Sequence, residues 1–332
     1  MKKNSFLLLF LIIIFNIEIV HANENFEKWK VNFKIYAIEK GVSPITLNQL
    51  IDKIKFLPDV IKYDRYQPEF YEDTKTYISK RASKKKVLIG NKIYKSNNDK
   101  INFISNKYNV DKNLLLSLMG IETNFGNYLG KMDIISSLAT LSFDKRRSEF
   151  FTSELITLLK LIDNNIIDPS TLYGSWAGAF GNFQFMPSTI KNYAIDFDQD
   201  NKISLKQTED SFASAANYLN KLGWNNSTPC FYQVKLKSTI PDEYLNISAK
   251  KIHSTHKVKY LKKYIENSEY LNIHDNLYAA IITPDAEIVE NPNKLYPAYI
   301  VFDNYKLILK WNRSLRFALA VCTLKEKFKN VL

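Results

Sequence analysis

Residues 114–130 read LLLSLMGIETNFGNYLG, and the reading of this stretch decides the fold. Leu114, Leu115, Leu118 and Ile121 fall at i, i+1, i+4 and i+7, the spacing of one apolar face of a helix. Asp111 stands just before the run as a natural N-cap. Glu122 adjoins the last apolar position, and Gly126 and Gly130 follow in a chain with only 9 glycines. A carboxyl beside an apolar face is desolvated, which favours its neutral form and raises its pKa. Such a group can deliver a proton near neutral pH. A solvated acid at a helix end is the plainer reading of Glu122 alone, although the helix macrodipole mildly disfavours an acid there.

Six of the nine glycines, at 120, 126, 130, 174, 178 and 181, crowd into one part of the chain. Glycine collects where backbone takes positive φ or approaches something closely. Around the later three the sequence is YGSWAGAFGNFQFMPS, residues 173–188. Aromatic rings that stack on sugar faces stand there beside Ser175 and Gln184, which can orient a ligand. Taken alone, the segment reads better as a packed turn whose aromatics fill core; its pairing with Glu122 favours a saccharide site.

The chain has 332 residues and is 45% hydrophobic, enough for a substantial core in one large domain or several smaller ones. Its start, MKKNSFLLLFLIIIFNIEIVHANENF, has the form of an export signal. Lys2 and Lys3 precede an apolar run from Phe6 to Phe15 and a small-residue cleavage site at Val20-His21-Ala22. The run is shorter than the roughly 20 residues that span a bilayer. Cleavage after Ala22 and a periplasmic location are expected. The only cysteines are Cys230 and Cys322, so none stands at the cleavage site for a lipid anchor, and whether the two pair is open. The formal charge is +12. That balance fits an anionic polymer, and equally a chain whose lysines are scattered through a Lys-, Asn- and Ile-rich composition. Export argues against nucleic acid as partner.

Helical spacing runs over 26–63 with a turn at Gly41 to Pro44, where Ser43 is the expected N-cap and Pro44 the first helical residue. YDRYQPEF follows, then a lysine-rich helical connection through residue 86. DKNLLLSLMGIE, SEFFTSELITLLKLIDNN and DSFASAANYLNKLGW are strongly helical, with Asp210 the expected N-cap of the last and Gly223 its end. Beyond Trp224, CFYQVKLKS, AEIVE and AYIVFDNYKLILKW alternate like strands, and SLRFALAVCTLKEKF is helical again. The fold expected is mainly α (α+β). Asp133 and Asp144 read as caps or surface residues, His253 and His256 as a surface pair rather than a zinc site. No nucleotide-binding glycine motif is present.

GIETNFG, LATLSFDKRRSEFFTSELITLL and GSWAGAFGNFQFMPS, in that order, resemble the soluble or membrane-bound lytic murein transglycosylase B family. The likeness extends to YDRYQPEF, DFDQDNKISL, ANYLNKLGW and YKLILKWNRSLRFALAV, most of the mature chain. It implies a lysozyme-like helical core and cleavage of the β-1,4 bond between N-acetylmuramic acid and N-acetylglucosamine without water, leaving a 1,6-anhydro end. It implies Glu122 as the single acid and base, with Ser175, Gln184, Tyr218, Arg146, Arg147 and Asn312 as substrate-binding residues. Trp311 and Phe317 depart from it, standing where the family usually has tyrosines. The domains expected are a signal peptide over 1–22, a helical region over 23–100, the catalytic core over 101–225, and a C-terminal β-strand region with a closing helix over 226–332. The partner expected is the glycan strand of peptidoglycan, bound by a monomer.

Ordinary glycosidases use two carboxylates, and neither glycine-rich segment contains a second acid. A lone Glu must protonate the leaving oxygen and then act as base toward the C6 hydroxyl of the same sugar. A hydrolytic muramidase and a non-catalytic glycan-binding protein are the competing readings. No cofactor is expected for the chemistry. DFDQDNKISLKQTED, residues 196–210, places Asp196, Asp198 and Asp200 at positions 1, 3 and 5 of an EF-hand-like loop, Asn201 at the sharp turn and the Lys202 carbonyl at position 7. Gln207 stands at position 12 where a Glu is usual; the family's loop is longer and its last acid falls at Asp210. A structural calcium loop and a metal-free acidic turn are the two readings.

Overall fold

A computed structural model of the chain describes residues 23–66, 72–286 and 294–331. The expected export signal, residues 67–70 of YDRYQPEF and most of AEIVE lie outside the described residues. In chain order the helices are α1 (23–39), α2 (Pro44–Leu50), α3 (Pro58–Arg65), α4 (Thr74–Arg81), α5 (Lys84–Ser96), α6 (Asn98–Tyr108), α7 (Lys112–Thr123), α8 (Ile134–Phe143), α9 (Ser148–Asp163), α10 (Pro187–Tyr193), α11 (Thr208–Leu222), α12 (Val258–Leu261), α13 (Asp303–Trp311) and α14 (Leu315–Lys329). The strands are β1 (Met132–Asp133), β2 (Tyr173–Gly174), β3 (Phe231–Val234), β4 (Leu245–Asn246), β5 (His256–Lys257), β6 (Tyr278–Ile282) and β7 (Ala298–Val301). The architecture is mainly helical with a small sheet, as the sequence predicts.

The chain forms two compact units. The first holds the described residues up to Tyr66, Leu129–Asn192 and Gln199–Ser204. Phe26, Lys30, Phe33 and Ala37 form the buried stripe of α1, at the i, i+4, i+7, i+11 spacing of one helix face. Phe26, Trp29, Phe33, Phe56 and Phe143 interlock as an aromatic cluster, with neighbouring ring centroids 4.9 to 6.3 Å apart. Ser43 caps α2 as expected, its hydroxyl accepting from the Thr46 N–H at 3.2 Å and donating to Asp163. Helix α8 is buried over nearly its whole length, and its hydroxyls satisfy extended backbone beside it. Ser136 Oγ accepts the Lys55 N–H and Thr140 Oγ1 the Leu57 N–H, each at 3.0 Å. Asp133 caps α8, as expected, by accepting the Ser136 N–H at 2.6 Å. Asp144 closes its other end and pairs with Arg65 at 2.9 Å.

The second unit holds the described residues from 72 to Tyr128, Tyr193–Asp198 and Leu205 onward. The sheet runs β3-β7-β6-β4, with β5 also paired to β6. All pairings are antiparallel except β4 with β6. Ala279 and Ile281 on β6, with Ala298 and Ile300 on β7, face a core completed by Val258, Leu261 and Phe302. Their strand neighbours Ala280, Ile282 and Val301 are equally buried, so the two central strands are covered on both faces. Cys230 and Cys322 form a disulfide joining the start of β3 to α14, which answers the question the sequence left open.

Three expectations change. Helix α7 is buried on nearly all sides rather than on one face: Leu116, Ser117 and Gly120 are as inaccessible as Leu114 and Leu118. The AYIVFDNYKLILKW run is not one strand: it leaves β7 at Val301 and becomes α13 from Asp303. Tyr305, Ile308 and Leu309 supply a helical i, i+3, i+4 face there, and Asp303 favours the helix N-terminus. Asp210 is not the N-cap of α11, which starts at Thr208; it lies inside the first turn and turns back to the loop before it. Gly223 ends that helix as expected, at φ 93°.

Candidate active site

Glu122 is the penultimate residue of α7, and the helix stops there by left-handed geometry. Asn124, Phe125 and Gly126 have φ of 50°, 60° and 80°. Asparagine and glycine adopt this region readily, whereas phenylalanine does so at a cost of order 1 kcal/mol or more, the kind of local strain that marks functional turns. Packing holds it: the Phe125 ring is 5% exposed and meets Phe328 edge-on at 6.4 Å. Thr123 braces the turn, its hydroxyl accepting the Gly126 N–H at 3.0 Å. The Gly120 carbonyl accepts from the Lys86 ammonium, which satisfies one of the helix's terminal carbonyls. Burial, with a smaller contribution from Arg81, pushes the Lys86 pKa down to about 8.

Trp311, the last residue of α13, donates its indole N–H to Glu122 Oε1 at 3.0 Å. The indole stacks on Tyr218 at 5.1 Å, and Tyr218 packs on Tyr193 at 4.3 Å, a column of three rings. Burial, then proximity to Tyr193, pushes the Tyr218 phenol up to about 12, so it stays neutral and donates to the Lys310 carbonyl at 3.3 Å. Asn312 follows as the C-cap of α13, its N–H bonded to the Ile308 carbonyl. Phe317 is buried in the first turn of α14. The second unit therefore brings Glu122, Trp311 and Tyr218 into one connected group. Trp311 stood in the sequence only as a departure, and Tyr193 drew no notice at all; 189 residues separate Trp311 from Glu122, so no local pattern links them.

In the first unit, Ser175 and Gln184 lie on a tight glycine turn. Ser175 Oγ accepts the Ala179 N–H at 3.0 Å, and the Ser175 N–H donates to the Ala179 carbonyl at 2.8 Å. Gln184, at φ 49°, donates its side-chain amide to the Gly181 and Leu129 carbonyls at 3.0 and 3.3 Å. Glycine is required at 130 and 174: a Cβ on Gly130 would lie 2.0 Å from the Gly174 carbonyl oxygen, one on Gly174 2.3 Å from that of Ala179. Arg146 and Arg147 converge on one buried carboxylate, Asp64, with Arg146 Nε 2.7 Å from Oδ2 and Arg147 paired to Oδ1. Sequence reading had singled out the two arginines and missed Asp64, whose burial is invisible in its exposed-looking YDRY context.

The loop carboxylates Asp196, Asp198 and Asp210 each bring one oxygen within 4.8 Å of the others. Asp210 is buried and its Oδ1 accepts the Phe197 N–H at 2.7 Å. Three hard oxygen ligands on a short loop and its following helix fit calcium. Asp200 and Lys202 belong to the first unit, where the Asp200 carboxylate accepts the Lys202 N–H at 2.8 Å.

The second unit carries an acid at a strained helix end beside a donor-bearing aromatic column, and the first carries a glycine-rich polar turn, in a mainly helical fold. Residues 25–326 match the transglycosylase SLT domain model, so the chain belongs to that family. Over 127 residues it is 42% identical to membrane-bound lytic murein transglycosylase B of Escherichia coli, a stretch that spans 38% of this chain and 35% of that protein. It is similar in structure to SltB3 of Pseudomonas aeruginosa solved with NAG-anhNAM-pentapeptide: TM-score 0.78, 29% identity, 92% of this chain and 79% of that one. The Escherichia coli lytic transglycosylase Slt35 solved with calcium gives a TM-score of 0.73 at 26% identity, covering 93% of each chain. Among the described residues no helix is long and apolar enough to cross a membrane.

Proposed function

We propose that the protein is a periplasmic lytic transglycosylase that cleaves the MurNAc–GlcNAc bond of peptidoglycan to leave 1,6-anhydro ends, with Glu122 as sole acid and base and residues 101–225 as its catalytic core. The observation that carries this is Glu122 itself. It is the carboxylate at the left-handed end of a buried helix, held by an indole N–H, in a chain of the transglycosylase SLT family. Protonated Glu122 gives its proton to the glycosidic oxygen as the bond to C1 of the muramic sugar breaks. The 2-acetamido group stabilises the positive charge left on C1. The Glu122 carboxylate then takes the proton of the C6 hydroxyl, whose oxygen bonds to C1. The proton count closes on one carboxyl without water, a substrate-assisted departure from the two-carboxylate pattern.

Ser175, Gln184, Tyr218 and Asn312 are assigned to substrate binding. The Ser175 hydroxyl, already accepting from Ala179, keeps its own O–H to donate. Arg146 and Arg147, anchored by Asp64, retain further N–H donors for anionic groups of the substrate. Asp196, Asp198 and Asp210 would hold a structural calcium that braces the entry to α11, the helix that bears Tyr218; a divalent cation relieves the repulsion of three close carboxylates. Calcium should raise the melting temperature of wild type and not of an Asp196→Ala, Asp198→Ala variant.

The test of the reaction is Glu122→Gln on purified sacculi, with products identified by mass spectrometry. Anhydro-muropeptides from wild type and at least about a thousandfold less from the variant are expected. Reducing ends would assign a hydrolase instead, and undiminished release by the variant would remove Glu122 from the chemistry.

A further inference from the structure

We propose that Trp311 is a positioning residue that fixes which oxygen of Glu122 carries the proton. The inference rests on Glu122 being the acid and base. An indole N–H donates and never accepts. With Trp311 Nε1 at 3.0 Å from Oε1, a proton on Oε1 would compete with the indole hydrogen for that oxygen and leave it the poorer acceptor, whereas Oε1 accepts well as the carbonyl oxygen of the acid and more strongly as half of the carboxylate. The acid therefore carries its proton on Oε2, and the same oxygen takes a proton back in the second half of the reaction.

This works only if the indole is held still. It ends α13, where the Asn312 N–H bonds to the Ile308 carbonyl and the Ser314 N–H to the Asn312 carbonyl at 2.8 Å. Its face lies on Tyr218 with an interplanar angle of 28°. Tyr218 is gripped in turn by Tyr193, whose carbonyl accepts the Asn217 side-chain amide at 2.7 Å. Each ring limits the rotation of the next, and a neutral Tyr218 adds no competing charge beside the carboxyl. A carboxyl free to spin about its last torsion would present either oxygen to the substrate; this one presents a chosen oxygen in both steps, and a misplacement of about 1 Å at such a group costs on the order of a hundredfold in rate.

The experiment compares wild type with Trp311→Phe, which keeps a ring on Tyr218 and removes the donor, and Trp311→His, which returns a ring N–H at similar reach. Replacement of the indole by benzothiophene in a synthetic amino acid removes the N–H with almost no change of shape and serves if Trp311→Phe folds poorly. On soluble glycan strands, kcat should fall about 10- to 100-fold in the donor-less variants with KM within about twofold, and Trp311→His should recover most of the loss. Independently of turnover, the Trp311 indole N–H resonance, assigned by its absence in Trp311→Phe, should move in Glu122→Ala. Unchanged kcat in the donor-less variants beside an active wild type, or an indole resonance indifferent to Glu122, overturns the inference and leaves the proposed function standing. A wild type that releases no muropeptides overturns both.

Discussion

Gly120→Ala tests whether the end of α7 is built around one aromatic ring. A Cβ at Gly120 would lie 2.7, 3.1 and 3.2 Å from three atoms of the Phe125 ring. The ring has little room to retreat. It is packed against Phe328, and a Cβ on Gly90 of α5 would stand 2.8 Å from it on another side. Two helices thus use glycine to admit one side chain that the left-handed turn drives inward. Helix propensity alone would favour alanine by about 0.8–1 kcal/mol at an interior position. Overpacking a buried site costs about 1–3 kcal/mol. At 2.7 Å the contact lies below any ordinary Cβ approach and belongs in the upper half of that range, about 2–3 kcal/mol, so the clash should win by about 1–2 kcal/mol, with the strain falling on the turn that begins two residues beyond Glu122, so that activity drops as well. Urea unfolding at unchanged m reads the stability. Phe125→Leu should relieve the strain, so the double variant should lose less than the sum of the two single losses, by at least about 0.5 kcal/mol. A Gly120→Ala protein as stable as wild type, or strict additivity with Phe125→Leu, would show that the ring does not dictate the glycine.

Three further outcomes follow from the same geometry. Lys86, with its folded pKa pushed down to about 8 against an ordinary value of 10.5, binds its proton more tightly in the unfolded chain between those values; wild type should therefore gain stability relative to Lys86→Met as pH rises from 8 toward 10.5, and show no such relative gain below 8. Asp285 accepts from the Thr74 N–H at 3.0 Å, its hydroxyl at 2.5 Å and buried Arg316 at 2.7 Å, so Asp285→Ala should cost about 3–5 kcal/mol in urea unfolding, and adding Arg316→Met should recover part of it by removing the stranded charge. The Cys230–Cys322 bridge spans 92 residues, and replacing both cysteines by serine should cost up to about 4.6 kcal/mol on the chain-entropy relation, read as a fall in the urea midpoint; an unchanged midpoint would mean that the unfolded chain is not loosened by the loss.

Much of the candidate site was legible in the sequence because its signals are local. Glycine in a chain poor in it announced the turns at 126, 130, 178 and 181, all of which take positive φ. Glu122 was singled out by its place at the end of an apolar run, and Asp196, Asp198 and Asp200 by acidic spacing along one loop; Asp210, which only the family resemblance pointed to, is the carboxylate that gathers with Asp196 and Asp198. AYIVFDNYKLILKW was misjudged because a helical face and an alternating strand look alike over a short apolar run, and only packing arbitrates between them. Asp210 passed for a cap for a similar reason. Acid at a helix start is a good local partner, but the Phe197 N–H made a better one.

By itself the sequence determined the helical class, the caps at Ser43 and Asp111, the glycine stop of α11 and the place of Glu122 at the end of α7, since each follows from a few consecutive residues. Only the tertiary structure decided that Trp311 holds Glu122, that Asp64 gathers Arg146 and Arg147, and that Cys230 meets Cys322. Those partners lie between 82 and 189 residues apart. Over such separations chain entropy opposes every pairing alike, and packing of the core alone selects the ones that form.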